Sequence, residues 1–140
     1  WGSTVAYAES HDEERMAFKN NSYGIAAVKN NRETSFKRLG SLAATMLMTP
    51  GPKMIWQFGE LGDDQNTKNS GGNNTDPKIV DWYLLNDANS AALLDIYRQL
   101  CWLRQKNPDL FSREATFAAT GLGSAMSVNR TLRLTTADKA

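Results

Sequence analysis

Two kinds of apolar spacing alternate along this chain. Thr4 to Ala8 and Lys53 to Phe58 are short runs rich in apolar residues, and each ends in acidic ones, Glu9 to Asp12 and Gly59-Glu60. Runs of this length bounded by polar clusters predict strands. Between them Phe36, Leu39, Ala43, Met46 and Leu47 recur at helical spacing, which predicts a helix from about Glu33 to Met48. Asn30 with Glu33 offers a capping box at its start. Thr49-Pro50-Gly51-Pro52 ends it, because proline lacks an amide proton and disfavours a helical residue before it. A second stripe, Leu93, Ile96, Tyr97, Leu100 and Leu103, predicts a helix over about 90–105, capped by Asn89 and stopped at Asn107-Pro108. Arg98 and Arg104 near its end suit that helix's own dipole.

The remaining stretches are less patterned. One or two helical turns are expected over 11–19, broken by Lys19-Asn20-Asn21-Ser22, and Tyr23 to Val28 is open between helix and loop. Leu61 to Val80 is polar and reads as a long loop. After Phe111 the pattern changes to short candidate strands at 116–119, 125–129 and 131–135 between glycine-rich turns. Residues 1–111 are therefore expected to form one unit and residues 112–140 to open an all-β one. Strand, helix, Pro/Gly turn, strand is a βαβ unit, and such units build parallel sheets. Both acidic clusters would then lie on the carboxyl edge of that sheet. Ser10 with Glu13 also fits a capping box, so a plain helix start at His11 is the competing reading.

Composition excludes more than it assigns. The formal charge of +1 gives no electrostatic reason to expect nucleic acid or an anionic membrane as partner. No apolar run reaches the ~20 residues a membrane span needs. Cys101 is alone among Leu100, Trp102 and Leu103 and is expected to be a small buried apolar filler. No cysteine or histidine cluster has zinc-ligand spacing. The chain starts at Trp1 and stops just after the strand-like 131–135 run, so a fragment of a longer polypeptide is expected.

Three segments, in order, resemble the α-amylase family of glycoside hydrolases. Glu9-Ser10-His11-Asp12 with Arg15 looks like that family's Asn-His-Asp segment. Pro52 through Trp56 to Gly59-Glu60 is similar to its eighth barrel strand, and the Asp95-to-Leu110 stretch is similar to its last barrel helix. Ser10 stands where many members have Asn, and Leu61 where a second Glu is common. The resemblance implies an α/β fold, a partial (β/α)₈ TIM barrel with strands seven and eight and their helices, followed by the start of a β-sandwich. It implies α-1,4-glucan as substrate, in the form of starch, glycogen or maltooligosaccharide. Branching enzymes share these segments, so hydrolysis and glycosyl transfer both stay open, as does a non-catalytic binding or structural fragment. By position Asp12 matches the family's transition-state-stabilising carboxylate, and His11 the residue that hydrogen-bonds sugar hydroxyls. Arg15 is expected at substrate or a neighbouring carboxylate, with Glu9 and Glu60 in support. The segments carrying nucleophile and acid are absent, so the isolated chain is expected to be inactive and to associate with the missing amino-terminal part or with copies of itself. No cofactor or metal is expected within this segment, since the family's usual calcium ligands lie mostly elsewhere. The family has secreted and cytoplasmic members, so the resemblance assigns no compartment.

The chemistry of the residues fits those roles. Retaining cleavage passes through an oxocarbenium-like cation. A fixed carboxylate beside it stabilises charge that the ground state lacks, an effect worth ~3–4 kcal/mol per group. A neutral imidazole donates to a hydroxyl from one nitrogen and accepts at the other. Tyr7, Trp56 and Trp82 are candidate sugar-stacking rings; Tyr7 and Trp56, inside predicted strands, are expected to pack in the core.

Overall fold

The computed structural model describes residues 4–67, 76–121 and 131–137. Four helices, α1 (Met16–Tyr23), α2 (Ala26–Lys29), α3 (Arg32–Met48) and α4 (Ala88–Lys106), precede an antiparallel pair, β1 (Thr116–Thr120) and β2 (Thr131–Thr135). Single 3₁₀ turns occupy Gly59–Leu61, Trp82–Asn86 and Pro108–Phe111.

The apolar stripe of α3 is the centre of the core. Phe36, Leu39, Ala43, Met46 and Leu47 are all buried on it, packed against Leu93 and Tyr97 of α4 and Ala17 of α1. Gly40 lets the two long helices approach: a Cβ there would lie 2.8 Å from Ile96 Cδ1. Of the predicted α4 stripe, Leu93 and Tyr97 are buried and Leu100 is partly so, while Ile96 is exposed at the edge. The caps differ from those expected. Asn31, not Asn30, accepts from Thr34 N–H at 2.8 Å, and Glu33 pairs with Lys37 one turn on instead of closing a box. Asp87, not Asn89, caps α4 by accepting from Ser90 N–H at 2.9 Å.

Arg104 does not serve its own helix end. Its Nη1 donates to the carbonyls of Leu47 (2.6 Å) and Thr49 (2.9 Å), its Nη2 to that of Gly51 (2.6 Å), and it stacks on Phe111. It therefore satisfies carbonyls at and just beyond the end of α3 that have no donor within the helix; the Gly51 N–H that would serve Leu47 O goes instead to Phe111 O. Cys101, expected inside, is exposed on the outer side of α4.

The parallel sheet does not form. Thr4–Ala8 and Lys53–Phe58 lie alongside each other in parallel, but the only pairing is one bridge, Ala6 with Lys53. Ala6 N–H donates to Pro52 O at 3.1 Å and Met54 N–H to Ala6 O at 3.0 Å, and the ladder stops there. Two parallel segments without neighbours lack the cover and flanking strands that stabilise such sheets. At one end Pro50 and Pro52 have no amide proton to offer; at the other Phe58 turns to a left-handed conformation with φ 63°. Among the described residues there is accordingly neither a partial barrel nor a β-sandwich; the fold is that of a small, mostly helical domain carrying one hairpin-like pair. The candidate strand at 125–129 lies outside the described residues. The pair β1–β2 buries Leu134, and β2 touches α3 and the Pro108–Phe111 turn.

Helix α1 also begins later than either reading of 11–19 required. Ser10 caps nothing helical; its hydroxyl accepts from Asp12 N–H at 3.3 Å. The Lys19-to-Ser22 stretch continues the helix, because Asn20 turns inward and donates to Ser35 O. Tyr23 to Val28 resolves into the end of α1 and the start of the one-turn α2.

Candidate functional site

The turn from Glu9 to Arg15 connects the bridged Ala6 to α1, and its two ends are buried while its middle is not. Glu9 and Arg15 are 6% and 2% exposed. His11 and Asp12, at the tip, have side chains 62% and 71% exposed, with Nε2 and Oδ1 3.3 Å apart. The His11 ring leans on Trp56, centroids 5.9 Å apart. The tip thus presents a carboxylate and an imidazole together to solvent, over an aromatic ring of the 53–58 segment.

Behind it sits a cluster of buried charge. Arg15 Nη1 donates to Gln57 O at 2.7 Å and lies 3.5 Å from Glu9 Oε1, and Nη2 lies 3.0 Å from Asp63 Oδ2. Glu9 Oε2 also accepts from Met16 N–H at 2.7 Å, which caps α1 from seven residues away. Asp63 Oδ1 accepts from Gln65 N–H at 3.0 Å. One guanidinium therefore faces two carboxylates beside a cavity of about 10 Å³, close to the lower limit for one water. Burial raises the pKa of Glu9 and of Asp63 above the usual range, reinforced at Glu9 by the charge of Asp63 and at Asp63 by those of Asp64 and Asp81, against the lowering from backbone N–H groups and Arg15. The Tyr97 hydroxyl, buried on the same side and facing Glu9 and Glu60, is pushed up to about 12.

Asp63 gives no sign of this role in the sequence, where it opens the polar Leu61-to-Val80 stretch. The signal that marks it is the pair of glycines before it. At Gly59 a Cβ would lie 2.5 Å from Glu9 Oε1, and at Gly62, with φ 67°, it would strike the Phe36 ring. These positions let Phe58 to Gly62 coil tightly, so that Asp63 N–H donates back to Phe58 O at 3.1 Å and its side chain meets Arg15. Further along, Glu14 accepts from Thr67 N–H at 3.0 Å and Asn21 donates to Asp64 at 2.9 Å, tying the described start of the loop to the turn and α1.

Of the residues singled out from sequence, His11 and Asp12 are together and accessible, and Glu9 and Arg15 are together and buried. Glu60 lies in the Gly59–Leu61 turn, where its Oε2 is buried with no hydrogen-bond partner among the described residues, as are Trp56 Nε1 and Asp63 Oδ2, the latter in its ion pair with Arg15. Tyr7, expected in the core, is exposed. Trp82 is 63% exposed with its ring edge-on to Phe58 at 5.0 Å, and Tyr83 beside it is 84% exposed. No group of three or more His, Cys, Asp or Glu side chains converges as a metal centre requires among the described residues.

The fold and site define a small, mostly helical domain with a buried Glu-Arg-Asp cluster behind an exposed His-Asp turn. No protein-family model matches the chain, and no curated protein is significantly similar to it.

Proposed function

We propose that this chain is part of a retaining glycoside hydrolase acting on α-1,4-glucans, with Asp12 as its transition-state-stabilising carboxylate and His11 as a sugar-hydroxyl ligand. The observation that carries this reading is the exposed His11–Asp12 pair, 3.3 Å apart and backed by the Trp56 ring. A carboxylate held at a solvent-facing tip is placed to meet an oxocarbenium-like cation, and an adjacent imidazole to meet a hydroxyl of the same sugar. Glu9 and Arg15 support the pair from the two buried ends of the turn, and Glu60 belongs to the neighbouring Gly59–Leu61 turn. Nucleophile and acid come, on this reading, from residues outside these 140, so the chain alone binds glucan without cleaving it.

A second reading, glucan binding without chemistry, is favoured by Trp82 and Tyr83, two adjacent aromatic side chains open to solvent. The two separate in one titration. Maltoheptaose is added to the isotope-labelled chain and to His11→Ala, Asp12→Ala and Trp82→Ala. The first reading expects weak saturable binding, several-fold weaker in His11→Ala, with no reducing ends released. Binding lost only in Trp82→Ala favours the second. No binding in any sample removes both, and hydrolysis by the wild type above Asp12→Ala overturns the expected inactivity.

A further inference from the structure

We propose that Asp63 is a positioning residue: through Arg15 it fixes the turn that presents His11 and Asp12 against Trp56. The inference deepens the glucan reading, in that the site it serves is the His11–Asp12 tip, but its geometry stands independently of any substrate.

The path is short and every link is a named contact. Asp63 Oδ2 forms an ion pair with Arg15 Nη2 at 3.0 Å, without hydrogen-bond geometry. The other arm of the same guanidinium donates to the carbonyl of Gln57, the residue next to Trp56, and reaches Glu9 at the foot of the turn. Glu9 closes that foot by accepting from Met16 N–H. Two ends of a seven-residue turn are thereby held to each other and to the segment carrying Trp56, on whose ring the tip leans. A guanidinium is planar and rigid, so a buried carboxylate drawn to one arm by charge biases where the other arm lies. Asp63 is the outside anchor of this fork: Glu9 and Arg15 belong to the turn, whereas Asp63 belongs to the loop after Gly59–Leu61. The chain makes unusual local provision for it, with left-handed residues at Phe58 and Gly62 and no room for a Cβ at Gly59 or Gly62. An aspartate needed only for surface solvation would require none of this.

The rival is that Asp63 merely balances charge in the core. The two differ in what happens to the tip when the fold survives. His11 is the only histidine in the chain, so its ring resonances are unambiguous. In the wild type, nuclear Overhauser contacts are expected between the rings of His11 and Trp56. In Asp63→Asn, which keeps size and loses charge, they should fall several-fold while those between Gly62 and Phe36 persist; Asp63→Glu, which restores the charge, should recover part of them. Unchanged His11–Trp56 contacts in a folded Asp63→Asn overturn the proposal. If Asp63→Asn does not fold, Arg15→Lys decides, because it keeps the positive charge but not the fork: loss of the ring contacts supports the proposal and their retention overturns it. Since no sugar is present, failure here leaves the glucan titration untouched, and a failed titration leaves this result standing.

Discussion

At the scale of single residues, the decisive fact is that one cation, Arg15, is buried between two acids. Burial of a charge is expensive unless it is paired and hydrogen-bonded, and here two carboxylates share one partner. The pKa of Glu9 is raised, chiefly by burial, so the folded chain holds this proton more tightly than the unfolded one. Between the ordinary carboxylate value and the raised one, the folded state therefore binds more protons, and stability from this group falls as pH rises. Glu9→Gln removes the titration but keeps an acceptor for Met16 N–H. Measured by urea midpoints across a pH series, the wild type should lose ground to Glu9→Gln as pH climbs upward from the ordinary carboxylate range. A wild type that gains ground instead would mean that the attraction of Arg15 outweighs burial. Two of the three members of this cluster were legible in the sequence, since Glu9 and Arg15 were singled out for charge at the end of an apolar run. Asp63 was not, because a polar loop offers many acids and no periodicity to rank them. The glycines that make its approach possible are informative only once their neighbours in space are known.

At the scale of elements, the two long helices were readable, while α1, α2 and the strand pairing were not. The spacing of Phe36 to Leu47 reports directly which face of α3 is buried, because a helix satisfies its own backbone and needs only one covered stripe. A strand needs neighbours, and nothing within Thr4–Ala8 or Lys53–Phe58 says whether any will be there. The result is one bridge where a sheet was expected. The contact that best shows elements cooperating is also non-local. Arg104 spans from α4 to three carbonyls at the end of α3 and the turn beyond it. Arg104→Met keeps much of the stacking on Phe111 but strips those carbonyls of their donor, so a loss of about 2 kcal/mol is expected in chemical denaturation. Arg104→Lys should recover only part, since an ammonium cannot reproduce the fork. Full stability in Arg104→Met would show that Lys53, which donates to the Pro50 and Gly51 carbonyls at 2.8 Å each, holds the turn unaided.

At the scale of the whole molecule, apolar surface is left open where the single bridge lies. Val5, Tyr7 and Ile55 are 55%, 47% and 40% exposed, on segments whose ladder stops after two hydrogen bonds. An extended segment with apolar side chains and an uncovered edge is a template for pairing with another chain, and a lysine placed on it is the usual deterrent. The chain should therefore self-associate as concentration rises. Sedimentation velocity over a hundredfold concentration range is expected to show a growing dimer or larger fraction, and Tyr7→Lys to reduce it several-fold. Tyr23→Lys, at an exposed aromatic on α1 away from the bridge, should leave it unchanged. A wild type that sediments as a monomer throughout would refute this, and equal effects of the two lysines would move the contact elsewhere on the surface. The same experiment bears on the site, because Ala8 and Glu9 directly follow Tyr7. Association through this edge would stiffen the foot of the turn, so maltoheptaose affinity should then vary with protein concentration in the wild type and not in Tyr7→Lys.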